Sequence, residues 1–138
     1  MATRAKQSFP PIAQDTLWLI FRVSIGAFMI THGVGKLLKL FGDEPIKFMD
    51  FMGIGPTASL ALVVFAEFFC AILLILGLFT RIAAAMIAIT MAVASFYALS
   101  DDPFSDRETP LLYLVACLAI IAIGAGNWSV DRLIRGKS

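Results

Sequence analysis

The chain has 138 residues, of which 59% are hydrophobic and 15% are charged, and its formal net charge is +1. Soluble globular proteins carry about 25% charged residues, so these charges are too few to cover a water-exposed surface. Neither the net charge nor any Lys/Arg-rich run indicates a nucleic-acid partner, and two cysteines inside apolar stretches exclude a zinc finger or a disulfide framework.

Four apolar stretches follow one another along the chain, each long enough to cross about 30 Å of hydrocarbon as a helix. They predict transmembrane helices at about 16–40, 57–79, 81–100 and 109–128. A soluble four-helix bundle would need a polar face on every helix, and the third stretch offers none. We therefore predict an all-α protein, in which residues 16–131 form an antiparallel, up-down bundle of four transmembrane helices.

Short polar segments flank the predicted spans. Residues 1–15 form a lead-in whose two prolines separate any upstream helix from the first span, and Asp15 or Thr16 can cap that span. Residues 132–138 form a basic tail. Six basic residues lie on the side of the two termini and four on the opposite side, which predicts that both termini are cytoplasmic.

The loops between the spans also carry signals. Residues 42–56 mix charged residues with Phe and Met, which predicts a short interfacial segment lying flat on the membrane or a lid folded over the bundle mouth. The tight connection at 77–81 makes the second and third helices antiparallel neighbours, with Thr80 as the N-cap of the third. Gly26, Gly33 and Gly35 let helices approach closely.

The first span is the most polar of the four. Arg22 and Lys36 fall on one stripe of this helix, with His32 at its edge, at about 100° per residue. A charge at the middle of a membrane helix costs roughly 2.5–3.5 kcal/mol, so these side chains need partners inside the bundle.

Glu67 is the one charge of the second span. Helix rise places it about 6 Å from Arg22 along the membrane normal. We predict that Arg22 and Glu67 form a polar-core ion pair. In one interpretation the pair is structural; in the other, Glu67 is a carboxylate that accepts protons or binds a ligand.

The same counting places a second polar set near the outer boundary: His32, Lys36, Tyr97, Tyr113 and Glu108. A neutral histidine beside tyrosines and a cation can hydrogen-bond a quinone carbonyl or shuttle protons, which makes this set a candidate quinone or proton site. The alternative is a histidine satisfied by a carbonyl or a tyrosine at a wet bundle mouth. No metal site is expected, since one histidine cannot give bis-His haem ligation, and catalytic residues stay unassigned.

The order of these residues resembles the DoxX family of small four-helix membrane proteins. The matching positions are Arg22-x3-Gly26-x-Phe28-x3-His32-Gly33-x2-Lys36-Leu37, then Glu67, Gly77-x2-Thr80-Arg81 and Gly124-x-Gly126-x2-Ser129-x-Asp131. The resemblance spans roughly Thr16 to Asp131. It implies a four-span bundle in a prokaryotic inner membrane, near quinone-linked or thiol-stress redox complexes. It also marks Thr80 and Arg81 as a helix junction.

These observations favour a multi-pass protein of the bacterial inner membrane that acts as a quinone-facing or redox-associated accessory subunit of a membrane oxidoreductase. The lipid bilayer surrounds it, and a larger membrane complex or a second copy of the chain is its partner. No covalently bound cofactor is expected, and quinone is the expected ligand. Two alternatives stay open: a structural or assembly subunit without chemistry of its own, and a small proton-coupled transporter. Whether the chain is an enzyme is left open, because it has no self-sufficient catalytic motif.

Overall fold

A computed structural model describes residues 10–48 and 50–135, and over these residues the chain is helical with no strand. This confirms the predicted all-α class. The helices are α1 (Pro11–Leu40), α2 (Pro56–Leu76), α3 (Thr80–Ala98), α4 (Phe104–Ile123) and α5 (Val130–Arg135). Most of the predicted lead-in and the end of the basic tail lie outside the described residues.

Helix α1 begins at Pro11 rather than at residue 16. Proline suits the first helical position because its missing N–H needs no partner there. Pro10 is therefore the N-cap, and the predicted cap at Asp15 or Thr16 is wrong. The Thr16 hydroxyl instead donates to the Ile12 carbonyl at 2.7 Å, inside the helix.

Within the described residues, α1, α2 and α3 are long and apolar enough to cross a membrane. Helix α4 has 20 residues but carries Asp106 in its first turn, followed by Arg107 and Glu108. It ends at Ile123, where Gly124 takes a φ of +93° that favours glycine, so the helix does not reach the predicted end at residue 128. The arrangement is compatible with a membrane helical bundle.

Helix α1 packs along α2 in the opposite direction, and the small residues of α1 make this contact close. A Cβ at Gly26 would lie 2.6 Å from Ile75 Cγ1, and a Cβ at Gly33 would lie 2.8 Å from the Glu67 carbonyl oxygen. The predicted close approach is confirmed at Gly26 and Gly33 and is wrong at Gly35, where a Cβ would have nothing within 4 Å. Larger residues at Gly26 or Gly33 would push α1 away from the α2 backbone.

The core draws residues from all four long helices. Met29, Leu74, Ile87 and Ile120 are almost fully buried in it. Helix α3 packs against α4 and α2, whereas α1 and α4 make few contacts with each other. The four helices therefore close tightly on three sides and leave a looser seam between α1 and α4.

Candidate functional site

Arg22 is buried on α1 with 1% of its surface exposed. Its Nε donates to the Leu74 carbonyl at 2.9 Å and its Nη2 to the Ile75 and Trp128 carbonyls at 3.3 and 3.1 Å, while Nη1 donates to the Ala125 carbonyl. Leu74 and Ile75 lie in the last turn of α2, where the Leu74 carbonyl also accepts the Gly77 N–H at 3.2 Å and where a cation is favoured. Arg22 thus ties α1 to the end of α2 and to the loop after α4.

The predicted ion pair between Arg22 and Glu67 is wrong. Gly33 lies against Glu67, whereas Arg22 lies against Leu74, so Arg22 and Glu67 are about 16 Å rather than about 6 Å apart along the helices. In addition, side chains on a helix lean towards its N-terminus. Because α1 and α2 run in opposite directions, Arg22 leans towards the C-terminal end of α2, and Glu67 leans towards the C-terminal end of α1. Glu67 meets Lys36 there instead: Lys36 Nζ donates to both Oε1 and Oε2 at 2.8 Å.

Asp131, at the start of α5, caps α3. Its Oδ1 accepts the Phe79 N–H at 2.9 Å and its Oδ2 accepts the Thr80 N–H at 3.0 Å. Burial alone would raise the pKa of Asp131, but the hydrogen bonds from Thr80 and Phe79 and the charge of Arg135 outweigh burial and hold that pKa below its usual value. Thr80 is the first residue of the helix and Phe79 its N-cap, so the predicted Thr80 cap is wrong.

The same end of the bundle holds two further contacts. Trp18 Nε1 donates to the Gly124 carbonyl at 3.0 Å. The Arg81 guanidinium lies over Gly124, where a Cβ would be 3.3 Å from Nη2. Arg22, Thr80, Arg81 and Asp131 therefore meet at one end, where the side chains of Arg22 and Asp131 hydrogen-bond to backbone groups. Its residues join helices to each other, and we call it the junction end.

The opposite half of the bundle contains a cavity of about 570 Å³, within the range of small-molecule sites. All four long helices and the loop before α2 contribute to its walls. Most lining residues are apolar, and the polar ones are His32, Lys36, Ser59, Glu67, Thr90, Thr109 and Tyr113. A few polar groups in an apolar cavity fix the orientation of an amphipathic ligand.

The cavity brings together His32, Lys36 and Tyr113, three members of the predicted quinone or proton set. The rings of His32 and Tyr113 meet edge to face with centroids 5.8 Å apart, across the seam between α1 and α4. Glu67, which sequence reasoning assigned to Arg22, is the carboxylate of this group. Its side chain is 5% exposed, against 34% for Lys36.

Tyr97 and Glu108 are not among the cavity-lining residues. Tyr97 stacks edge to face on Phe51 with centroids 5.2 Å apart. Glu108 is exposed, because five residues along a helix rotate by about 140° from the face that carries Tyr113. The predicted set is thus divided between the cavity and the outer surface.

Two π-helical segments border the cavity. Phe65–Cys70 interrupts α2 and contains Glu67, and Ala94–Ala98 ends α3 and contributes Ala94 and Ala98 to the lining. Segments of this kind are frequent at functional sites, because the extra residue per turn redirects side chains. The sequence pattern gave no sign of them.

The loop between α1 and α2 covers part of the cavity with Phe48 and Phe51. The Phe51 N–H donates to Ser59 Oγ at 2.9 Å, and Lys39 Nζ donates to the Lys47 carbonyl at 2.6 Å. Over residues 41–48 and 50–55 this loop forms no helix. Its position matches the lid interpretation of this segment.

The described residues contain no group of three or more His, Cys, Asp or Glu that could hold a metal ion. Cys70 and Cys117 are free and buried in the core. The groups available to hold a ligand are those of the cavity, with Lys36 and Tyr113 as hydrogen-bond donors and Glu67 as an acceptor.

Comparison with known proteins gives one family and two relatives. The DoxX family model matches residues 17–100, a range that includes most of α1 and all of α2 and α3, together with Lys36 and Glu67. An uncharacterized protein of Haemophilus influenzae is 32% identical over 118 residues, covering 80% of this chain and 85% of the relative. A second uncharacterized protein of that organism is 36% identical over 67 residues, covering 46% of this chain and 44% of the relative. No solved structure matches the chain.

Proposed function

This chain belongs to the DoxX family, and on that premise we propose that it is a membrane protein whose cavity binds a quinone and that serves as an accessory subunit of a membrane oxidoreductase. The cavity is the observation that carries this proposal. Its apolar walls suit a quinone ring and the first part of its tail, and its polar end supplies donors for a carbonyl oxygen from Lys36 and Tyr113. A redox partner would supply the electron route.

Access to the cavity supports a ligand that comes from the lipid. The loop residues Phe48 and Phe51 cover one side of it, and α1 and α4 make few contacts. The His32–Tyr113 ring contact bridges this seam. A quinone dissolved in the bilayer would reach the polar end by passing between these two helices.

The proposal includes the membrane topology. We place the protein in a bacterial inner membrane, with α4 as a fourth span and both termini cytoplasmic. The Trp18–Gly124 hydrogen bond puts the end of α4 beside the first half of α1, so the two helices would cross in opposite directions. The Lys/Arg balance supports the orientation.

Quinone retention tests the function. The protein is purified from its membrane in a mild detergent, and bound quinone is extracted and quantified by mass spectrometry. Ala94→Phe adds an aromatic ring inside the cavity lining, and Ala122→Phe makes the same change at an exposed position of α4. We expect quinone with the wild type and Ala122→Phe and little with Ala94→Phe. A wild type without quinone, or equal retention by both variants, would contradict the proposal.

A second candidate is proton-coupled transport of a small solute, and one observation favours it: the buried Glu67 carboxylate lines the cavity. A carboxylate that loads and releases a proton can couple a solute to a pH gradient. Uptake into proteoliposomes that follows an imposed pH gradient and disappears in Glu67→Gln would support this candidate. Uptake that ignores the gradient would remove it.

A further inference from the structure

The Lys36–Glu67 pair lies in the wall of the cavity, and we propose that it is an exchange site for weakly acidic ligands. A ligand enters as the neutral acid, its O–H proton passes to Glu67, and the resulting anion replaces Glu67 as the partner of Lys36. The ligand O–H bond breaks, a carboxyl O–H bond forms, and no electron moves. This inference rests on the proposed function, because it requires a ligand in the cavity, and it names the ligand class: an apolar body with an acidic hydroxyl or carboxyl group.

The geometry makes the exchange possible without rearranging the helices. Lys36 Nζ donates to both carboxylate oxygens of Glu67 at 2.8 Å. Both residues line the cavity, so one ligand oxygen can reach Glu67 and then Lys36. An ammonium group carries three donors, and the side chain of Lys36 is the more exposed of the two at 34%.

Electrostatics make the exchange obligatory for an anion. When an anionic ligand binds beside Glu67, the two anions share the one cation of Lys36, and keeping both ionised becomes more costly. One of the two anions therefore takes up a proton. Removing one partner from a buried pair without a replacement is strongly unfavourable, because it leaves the other charge uncompensated. An anionic ligand therefore binds together with one proton, whereas a neutral ligand leaves the pair intact.

The other titratable groups facing this pair are few among the lining residues. His32 comes from α1 and Tyr113 from α4. Helix α3 contributes Thr90 as its polar lining residue, and the loop contributes Phe48 and Phe51. Of these groups, His32 is the one that could take up a proton in place of Glu67, so a histidine variant is the necessary control.

The test uses two aromatic probes of nearly equal shape with the protein in lipid nanodiscs. 4-Nitrophenol has an acidic hydroxyl, and its anion absorbs at a different wavelength from the neutral form; 4-nitroanisole is its methyl ether and has no proton to lose. Dissociation constants are measured from the pH at which the free phenol ionises up to the onset of lysine deprotonation. In this window we expect wild-type affinity for the phenol to fall about tenfold per pH unit, since each anion binds with one proton. We also expect the bound probe to absorb as the anion; a bound probe that absorbs as the neutral phenol would overturn the exchange.

Three variants identify the side chain that takes up this proton. In Glu67→Gln the Lys36 charge has no partner, so the anion binds with an affinity that does not change with pH. His32→Gln keeps the tenfold dependence. Lys36→Met no longer binds the 4-nitrophenol anion but still binds 4-nitroanisole. The affinity for 4-nitroanisole is independent of pH in every variant.

If phenol affinity does not depend on pH in the wild type, or still depends on pH in Glu67→Gln, the exchange is wrong. Neither result would contradict quinone binding in the cavity. A tenfold dependence in a protein that retains no quinone keeps the exchange and removes quinone as the ligand. If neither probe binds, the cavity is not a ligand site, and the exchange and the proposed function both fail.

Discussion

Replacing Arg22 by methionine tests the junction end of the bundle. The substitution keeps most of the side-chain volume but removes the donors to four carbonyl groups. The Leu74 and Ile75 carbonyls lie at the end of α2, where Leu74 keeps the Gly77 N–H as a donor at 3.2 Å. The Ile75 carbonyl is therefore the one left without its donor, which costs about 1–3 kcal/mol for a buried acceptor. The loop carbonyls cost less, because Trp128 is 46% exposed and water can replace the guanidinium there. We expect Arg22→Met to lower the free energy of unfolding by about 1–3 kcal/mol.

The assay is unfolding in mixed micelles of mild detergent and dodecyl sulfate, followed by far-UV circular dichroism. Arg132→Met is the matched control, since Arg132 is exposed on α5, and exposed substitutions usually change stability by less than about 0.5 kcal/mol. A double-mutant cycle supplies the second arm: Arg22→Met and Glu67→Gln should be additive, whereas Lys36→Met and Glu67→Gln should couple. Coupling between Arg22 and Glu67, or an Arg22→Met variant as stable as Arg132→Met, would refute this reasoning.

Two further predictions use other contacts. Gly33→Ala should destabilise the protein and reduce ligand retention, because its Cβ would lie 2.8 Å from the Glu67 carbonyl oxygen. Gly35→Ala is the control: its Cβ would have nothing within 4 Å, so stability and ligand retention should stay unchanged. Equal behaviour of the two variants would count against the close packing. The pKa of Asp131 is lower in the folded protein than in the unfolded chain. The stability that Asp131 contributes should therefore be complete above its pKa in the unfolded chain, about 3.9, and should decline as pH falls through its pKa in the folded protein. Unfolding titrations between pH 2 and 7 should show this loss in the wild type but not in Asp131→Asn; parallel curves would contradict the cap.

The helical class followed from composition, because so apolar a chain leaves little choice beyond membrane helices. The charge partners did not follow from it. Helix rise counted from the assumed ends of the spans placed Arg22 and Glu67 about 6 Å apart, but Gly33 lies against Glu67, which puts the Cα atoms of Arg22 and Glu67 eleven residues, or about 16 Å, apart along the helices. Both side chains also lean towards the N-terminus of their own helix, and in antiparallel helices that separates them further. The same rule would have pointed to Lys36 as the partner of Glu67.

Other features depend on distant parts of the chain. The Asp131 cap joins residues 51 positions apart, and a single sequence offers no period or spacing that announces such a contact. Tyr97 lies in the π segment at the end of α3, where the 100° periodicity no longer holds. Glu108 was misplaced because α4 begins at Phe104 and continues through Pro110. His32, Lys36 and Tyr113 were found because each sits in regular helix, and all three line the cavity.

The most direct test of a ligand cavity at the Lys36–Glu67 end is photolabelling with an azido-substituted quinone, followed by peptide mapping. We predict labels on residues that line the cavity, such as Met86, Thr90 and Tyr113, with labelling suppressed by excess unmodified quinone and lost in Ala94→Phe. Labels that fall around Arg22 and Gly124 at the junction end, or that persist at the cavity in the presence of excess quinone, would contradict the account.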